Sequence, residues 1–226
     1  MSGFNHKLFN KKIAESMIQD ILVKILQCSE MMVADYKISG KRIRNHEEHI
    51  RNVLYNEYLN DNRIVEKIGL NKFHFEAEVP ENYQNHTPIG RVDLKVINQD
   101  TFTQKDAYFI IECKRIDGGV RLNKAYVTDG INRFLSHKRN QSKYSSYYGV
   151  NCMLGFVVNR IDIDKNMTKI NLIHQEINTL KKKATDINEY IFNEHFKFTY
   201  VSNYSMSNNI LKLYHAFYDF SLIIKQ

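Results

Sequence analysis

Two short runs do most to limit what this chain can fold into: Gly90-Arg91-Val92-Asp93-Leu94-Lys95-Val96 and Tyr108-Phe109-Ile110-Ile111-Glu112-Cys113-Lys114-Arg115. Both are rich in apolar and β-branched residues. Pro88 and Gly90 open the first, and Gly118 and Gly119 close the second. That pattern predicts two β-strands. Asn98 to Asp106 is polar and predicts a turn, so the pair reads as a hairpin. Side chains alternate faces along a strand. Val92, Leu94 and Val96 then share one face, and Asp93 and Lys95 the other. Glu112 and Lys114 share a face, with Ile111 and Cys113 opposite. An acid on one strand is thereby set beside an acid and a lysine on its neighbour. Solvated surface hairpins also carry such charges, as weak ion pairs. Tyr108 to Ile111, however, is an unbroken apolar run, as in a strand covered on both faces. Charges at the end of a buried strand need a partner or a purpose. Hard cations such as Mg²⁺ take oxygen ligands, often from one or two carboxylates, and a lysine beside them can hold an attacking water.

These residues resemble the signature of the PD-(D/E)XK nuclease superfamily, an Asp on one strand followed by Glu-x-Lys on the next: here Asp93 and Glu112-Cys113-Lys114. Val92 stands where the motif's Pro would be. The resemblance runs from residue 43 to residue 160. It implies an α/β protein with a restriction-endonuclease-like core, α-β-β-β-α-β, whose mixed central sheet is flanked by helices. An extra N-terminal helix and a C-terminal α-β-α extension are expected around it. The expected organisation is one nuclease domain over residues 1–226, divided into an N-terminal helical segment (8–40), the core (41–160) and an extension packed on it (161–226).

Residues 8 to 33 predict a long amphipathic helix, with Ile13, Met17, Ile18, Ile21, Leu22 and Ile25 at helical spacing. Ser39-Gly40 breaks the pattern. Residues 41 to 60 predict a second helix, on which Ile43, Glu47, Ile50 and Leu54 share a face. An acid on an apolar face needs a partner, and the resemblance makes Glu47 the acid that the first core helix adds to the site. Glu48 and Glu57 read as surface acids. The His46-Glu47-Glu48-His49 run lacks the zinc-binding spacing of HExxH. Residues 72 to 79 alternate and predict a strand with Phe73, Phe75, Ala77 and Val79 on one face and Glu76 and Glu78 on the other. A helix from Asn123 to His137 carries Asp129 and Arg133, spaced for an i,i+4 pair. Residues 148 to 158 predict a buried strand parallel to the Glu112 strand. A basic helix over 166–184, ending in Lys181-Lys182-Lys183, a strand over 196–204 and a helix over 208–224 complete the chain.

The functional expectation is metal-assisted hydrolysis of DNA phosphodiester bonds, of restriction or phage-defence type. By the resemblance, Asp93, Glu112 and the Cys113 backbone carbonyl hold Mg²⁺, with Mn²⁺ as a substitute. Lys114 positions a water, and Glu47 orients that water or binds a second ion. Arg115, Arg133, Lys138, Arg139 and Lys143 are candidate phosphate contacts, the last three within a stretch where bases and tyrosines interleave. The net charge of +7 suits an acidic partner. Two other substrates or roles fit the same residues: cleavage of RNA, and a non-catalytic nucleic-acid-binding module on the same fold. A homodimer is compatible with either. With 43% hydrophobic residues and two prolines, the composition excludes a disordered chain. Cys28, Cys113 and Cys152 read as reduced thiols rather than a disulfide or zinc framework. No apolar run is long enough to span a membrane. The opening residues are polar, so the expected location is cytoplasmic.

Overall fold

The computed structural model describes residues 6–84, 86–98, 107–135, 137–138, 141–142, 144, 148–179, 184–206 and 210–225. Helix α1 spans His6–Ser39. Its buried stripe runs Ala14, Ile18, Ile21, Leu22, Ile25, Cys28, Met32 and Tyr36, at helical spacing throughout. The helix outlasts the predicted end at residue 33 because Met32 and Tyr36 extend that stripe. It stops where Gly40 adopts a left-handed φ of +68°, the usual conformation just past a helix end.

The predicted second helix divides. Ile43–Arg44 forms strand β1, and α2 begins only at Glu47, extending to Leu54. Ile43 leaves the helical face because its N–H donates to the Ile223 carbonyl, 2.8 Å away, and its side chain is buried in the core. Helix α2 continues into a single π-helical turn, Tyr55–Leu59, and α3 follows over Asn62–Lys67.

A mixed seven-stranded sheet forms the middle layer. Its strands are β2 (Phe73–Gln84), β3 (Thr87–Asn98), β4 (Tyr108–Ile116), β7 (Val150–Val157), β8 (Asn188–Glu189), β9 (Thr199–Ser205) and β10 (Ile210–Asp219). They lie in the order β2-β3-β4-β7-β10-β9-β8. Strands β2, β3 and β4 are antiparallel neighbours, as the hairpin reading expects. Strand β4 is parallel to β7, and β7 to β10. The β4–β7 crossover is helical: α4 (Val120–Ala125), a π-helical turn (Tyr126–Ile131) and α5 (Asn132–Leu135). Two short strands, β5 (His137–Lys138) and β6 (Gln141–Ser142), follow it. Helix α6 (Ile163–His174) lies beyond β7, and β11 (Ile224–Lys225) pairs in parallel with β1. Among the described residues, no helix is long and apolar enough to cross a membrane. The three cysteines are free and buried.

The predicted C-terminal helix is a strand. Leu211, Leu213 and Phe217 of β10 pack in one core cluster, and Tyr214 and Ala216 in the other. A strand buried on both faces is apolar at nearly every position, so chance hits at helical spacing arise within it. The C-terminal extension is therefore α6 followed by strands, not α-β-α. Of its basic helix, Lys181 to Lys183 lie outside the described residues.

The sheet separates two cores. One joins α1 and α2 to Leu94, Val96, Phe109, Ile111 and Cys113. The other joins the crossover and α6 to Val92, Ile110, Met153 and Phe217. Strand parity fails at one point. Phe75, Ala77, Leu94 and Val96 belong to the first core, but Val79 and Val92, further along the same strands, belong to the second. The break falls at Glu78, whose φ is +58°. A left-handed turn in a non-glycine residue costs about 1–2 kcal/mol. It re-aims every side chain beyond it, as a bulge does.

A buried polar chain crosses the second core. Tyr126 hydroxyl lies 2.9 Å from His215 Nδ1, and His215 Nε2 lies 2.8 Å from Ser202 Oγ. Ser202 Oγ donates to Tyr204 hydroxyl, which lies 2.8 Å from His174 Nε2. Burial lowers the His215 pKa to about 3 and the His174 pKa to about 4. Both rings are neutral in the fold, and the unfolded chain takes up their protons first as pH falls below the ordinary value near 6.5. Their contribution is complete above pH 6.5 and is lost toward pH 4, by about 1.4 kcal/mol per pH unit for each ring. Urea unfolding of wild type and His215→Gln at pH 7.5 and pH 5.5 checks this. The variant is expected to show a smaller stability difference between the two pH values.

Candidate active site

The site lies where the sheet opens. The β3–β4 ladder runs from Ile97 opposite Tyr108 to Leu94 opposite Ile111 and ends there. The next residues are Asp93 and Glu112. Strand β4 stays paired to β7 on its other edge, with Glu112 opposite Met153 and Lys114 opposite Gly155. On the open edge the Asp93 side chain replaces the lost ladder: the Cys113 N–H donates to Asp93 Oδ2 at 2.8 Å. This bond satisfies a buried backbone donor and fixes the carboxylate beside the Glu-x-Lys run.

Lys114 sits in a cradle of oxygens. Its Nζ lies 2.7 Å from Glu112 Oε1, 2.8 Å from the Cys113 carbonyl, 2.9 Å from Glu47 Oε1 and 4.0 Å from Asp93 Oδ2. Burial pulls an ammonium toward neutrality, but Glu112, Asp93 and Glu47 overcome it and raise the Lys114 pKa. Lys114 is thus a firm cation, able to donate to an oxygen and unable to take a proton. Gly130 in the π-helical turn lies close over its stem. A Cβ there would stand 3.2 Å from Lys114 Cγ and would clash with Met153 Cε.

Each carboxylate also meets an arginine or a backbone donor. Arg51, on α2, is 2% exposed and places Nη1 2.6 Å from Asp93 Oδ1. Its Nη2 pairs with Glu78, which also holds Arg91 at 2.6 Å. Arg133, on α5, reaches Glu112 Oε1 at 2.9 Å and donates to the Tyr144 hydroxyl at 2.8 Å. The Tyr144 hydroxyl lies 2.6 Å from Glu112 Oε2 and 2.6 Å from the Arg91 carbonyl, and its one proton favours the carboxylate. Glu47 Oε2 accepts from the Arg115 N–H at 3.0 Å. Four acids, Glu47, Glu78, Asp93 and Glu112, face four bases, Arg51, Arg91, Lys114 and Arg133. Glu112 is fully buried. Burial and then Asp93 push its pKa up to about 7, against the pull of Lys114 and Arg133.

The structure thus brings Asp93, Glu112, Lys114 and Glu47 together, with the Cys113 carbonyl among them. Arg133 touches Glu112 rather than pairing with Asp129, which is exposed on the next turn. The Arg115 guanidinium turns away, donating to the Asn45 carbonyl and, at 2.8 Å, to Asn45 Oδ1. The backbone of Lys138 lies in β5, but its side chain, like Arg139 and Lys143, lies outside the described residues. Glu48 is exposed, and Glu57 accepts from the Tyr36 hydroxyl away from the site. Arg51, Arg91 and Tyr144 are the participants that sequence reasoning missed. Arg51 was within reach: it stands four residues after Glu47, on the same helix face. Glu78 enters through its left-handed backbone, whereas Glu76 keeps regular parity and lies 3.8 Å from Lys95.

The donors suit a hard cation: carboxylates and one carbonyl, with no sulfur or imidazole. Glu112 Oε1 is buried, and its two cations approach it closely without an aligned hydrogen bond. The Lys114 ammonium already occupies a cation's place among these oxygens. Among the described residues, no three His, Cys, Asp or Glu side chains converge closely enough to hold an ion as they stand. The donor types fit such an ion, and the place it would take among them is the one Lys114 Nζ holds. No family model, curated protein or solved structure matches the chain.

Removing Arg51 leaves Asp93 and Glu78 without their shared counter-charge. Arg51→Met is expected to lower stability by about 3–5 kcal/mol, the loss seen when one partner of a buried ion pair is deleted. Urea unfolding at pH 7.5 measures it, and a loss under about 1 kcal/mol would mean the pair is solvated.

Proposed function

We propose that this chain is a metal-dependent nuclease that hydrolyses DNA phosphodiester bonds, of restriction or phage-defence type, on a restriction-endonuclease-like core. The observation that carries the reading is the oxygen cradle around Lys114 Nζ: Asp93, Glu112, the Cys113 carbonyl and Glu47 converge on one cationic point. The order α2-β2-β3-β4-α4/α5-β7 supports it, since it follows the α-β-β-β-α-β sequence of that core.

In this reading Asp93, Glu112 and the Cys113 carbonyl hold Mg²⁺, or Mn²⁺ in its place, with Glu47 beside them. When bound, the ion supplies Lewis acidity at the scissile phosphate and lowers the pKa of a water. Arg51 holds Asp93 in one orientation, and the Cys113 N–H locks it from the other side. Tyr144 and Arg133 do the same for Glu112. Lys114, freed toward the substrate, orients the attacking water through its oxygen and offsets charge on the phosphate. Being a cation, it does not take the water's proton. Arg133, half-buried at the rim, is placed to meet a phosphate oxygen. The resemblance implies products with a 5′-phosphate and a 3′-hydroxyl.

The charge balance of the cluster favours a second reading, a non-catalytic nucleic-acid-binding module in which the same residues form a structural ion network. Incubation of supercoiled plasmid, linear duplex, single-stranded DNA and RNA with Mg²⁺, Mn²⁺ or EDTA separates the two. Metal-dependent cutting is expected, reduced at least about hundredfold in Asp93→Ala and Lys114→Ala. The substrate cut fastest distinguishes DNA from RNA. Salt-sensitive binding without cutting would favour the module, and full activity in either variant would remove the site assignment.

A further inference from the structure

A cavity of about 930 Å³ is lined by residues that follow the carboxyl ends of the parallel strands β7 and β10. Sheets of this kind commonly take ligands in that position. Strand β11, paired with β1, contributes Ile224 and Lys225 to its lining. Three cations line it from separate parts of the chain: Arg42 before β1, Arg160 after β7 and Lys225 on β11. All three side chains are exposed, and none of the lining residues is acidic. Among the described residues, none of the three has a carboxylate within ion-pair distance; Arg42 donates only to the nearby Gly40 and Lys41 carbonyls. This contrasts with the candidate active site, where every base is matched by an acid. Asn45, Asn159 and Ser221 add polar groups to the wall; among the described residues, buried Ser221 Oγ has no hydrogen-bond partner. Three uncompensated cations around a polar hollow are a site for an anion with several oxygens, since guanidinium groups present paired donors to phosphate.

The cavity is also coupled to the cradle. Asn45 lines it, and Glu47 stands two residues later in the cradle. Arg115 clamps both, its guanidinium on Asn45 and its backbone N–H on Glu47. We infer that this basic cavity binds a phosphate group and so fixes a phosphate ester beside the Lys114 cradle. Resting on the nuclease reading, the occupant is a backbone phosphate of the substrate strand, a short distance from the bond to be cut. A free mononucleotide offers the same chemistry.

Three exposed side chains can be removed without opening the core, so the test is the Arg42→Ala/Arg160→Ala/Lys225→Ala variant, with its thermal midpoint as the folding control. Binding of a labelled 20-base-pair duplex and a 20-nucleotide single strand is measured by anisotropy in EDTA, across a salt series. In parallel, inorganic phosphate and AMP are titrated in a thermal-shift assay. The variant is expected to bind the strand at least about tenfold more weakly at 0.1 M salt, with the log–log salt slope smaller by about 2–3. Unchanged strand binding, with AMP or phosphate stabilisation lost in the variant, would assign the cavity to a free phosphate ester. Strand binding, salt slope and thermal shifts all equal to wild type would overturn the inference. Because binding is read in EDTA, the two readings fail separately. A wild type that cuts but shows no change on losing the three cations overturns the cavity alone. A wild type that never cuts, yet loses binding with them, overturns the nuclease alone.

Discussion

The candidate site depends on one buried ammonium. Lys114 holds three acids and a carbonyl from two strands and a helix around a single point. Without that charge, Glu112, fully buried, would carry its negative charge against Asp93 with only Arg133 to offset it. Carboxylates placed this close repel, and one of them takes up a proton. The raised Glu112 pKa shows how near that limit the cluster stands. The same crowding that makes the acids costly to fold gathers their oxygens around one cationic point, which is what the proposed metal site requires.

The backbone prepares this arrangement in two steps. The β3–β4 ladder ends at Leu94 and Ile111, and Asp93 spends one carboxylate oxygen on the Cys113 N–H that the ladder no longer serves. Glu78, directly across β2, adopts its left-handed φ at the same level. That conformation is unfavourable for a glutamate, and two arginines, Arg51 and Arg91, hold it. Strain of this kind persists where surrounding contacts over-determine it, and such places cluster at functional sites. The two halves of the site then come from opposite cores: Glu47 and Arg51 from α2 on one face, Arg133 and Tyr144 on the other.

Much of this was legible in the sequence. The alternation in the two runs identified the hairpin, the shared face of Glu112 and Lys114, and Asp93 as their neighbour. Helical spacing placed Glu47 on the helix that meets them. What escaped was non-local. Period-two reasoning assumes unbroken parity, so it puts Val79 with Phe75 and Val92 with Leu94; both pairs are split between the two cores at the level of Glu78. β10 is apolar on both faces, and its periodicity mimicked a helix until its neighbours β7 and β9 were known. Ile43 read as helical because nothing local announces its partner at Ile224. Tyr144 lies in a stretch whose composition suits any surface loop, and only its hydroxyl beside Glu112 gives it a role. The basic cavity was invisible for the same reason, since Arg42, Arg160 and Lys225 are far apart in sequence.

The proposed chemistry requires a divalent-cation site among the oxygens around Lys114. Titration of the chain with Mn²⁺, followed by electron paramagnetic resonance of the free ion, tests this without reference to any substrate. One bound Mn²⁺ per chain, displaced by Mg²⁺ and weakened at least about tenfold in Asp93→Asn, is the expected result, since a hard ion is held by few carboxylates. Equal Mn²⁺ binding by wild type and Asp93→Asn would contradict the account and leave the cluster as an ion network that only holds the fold.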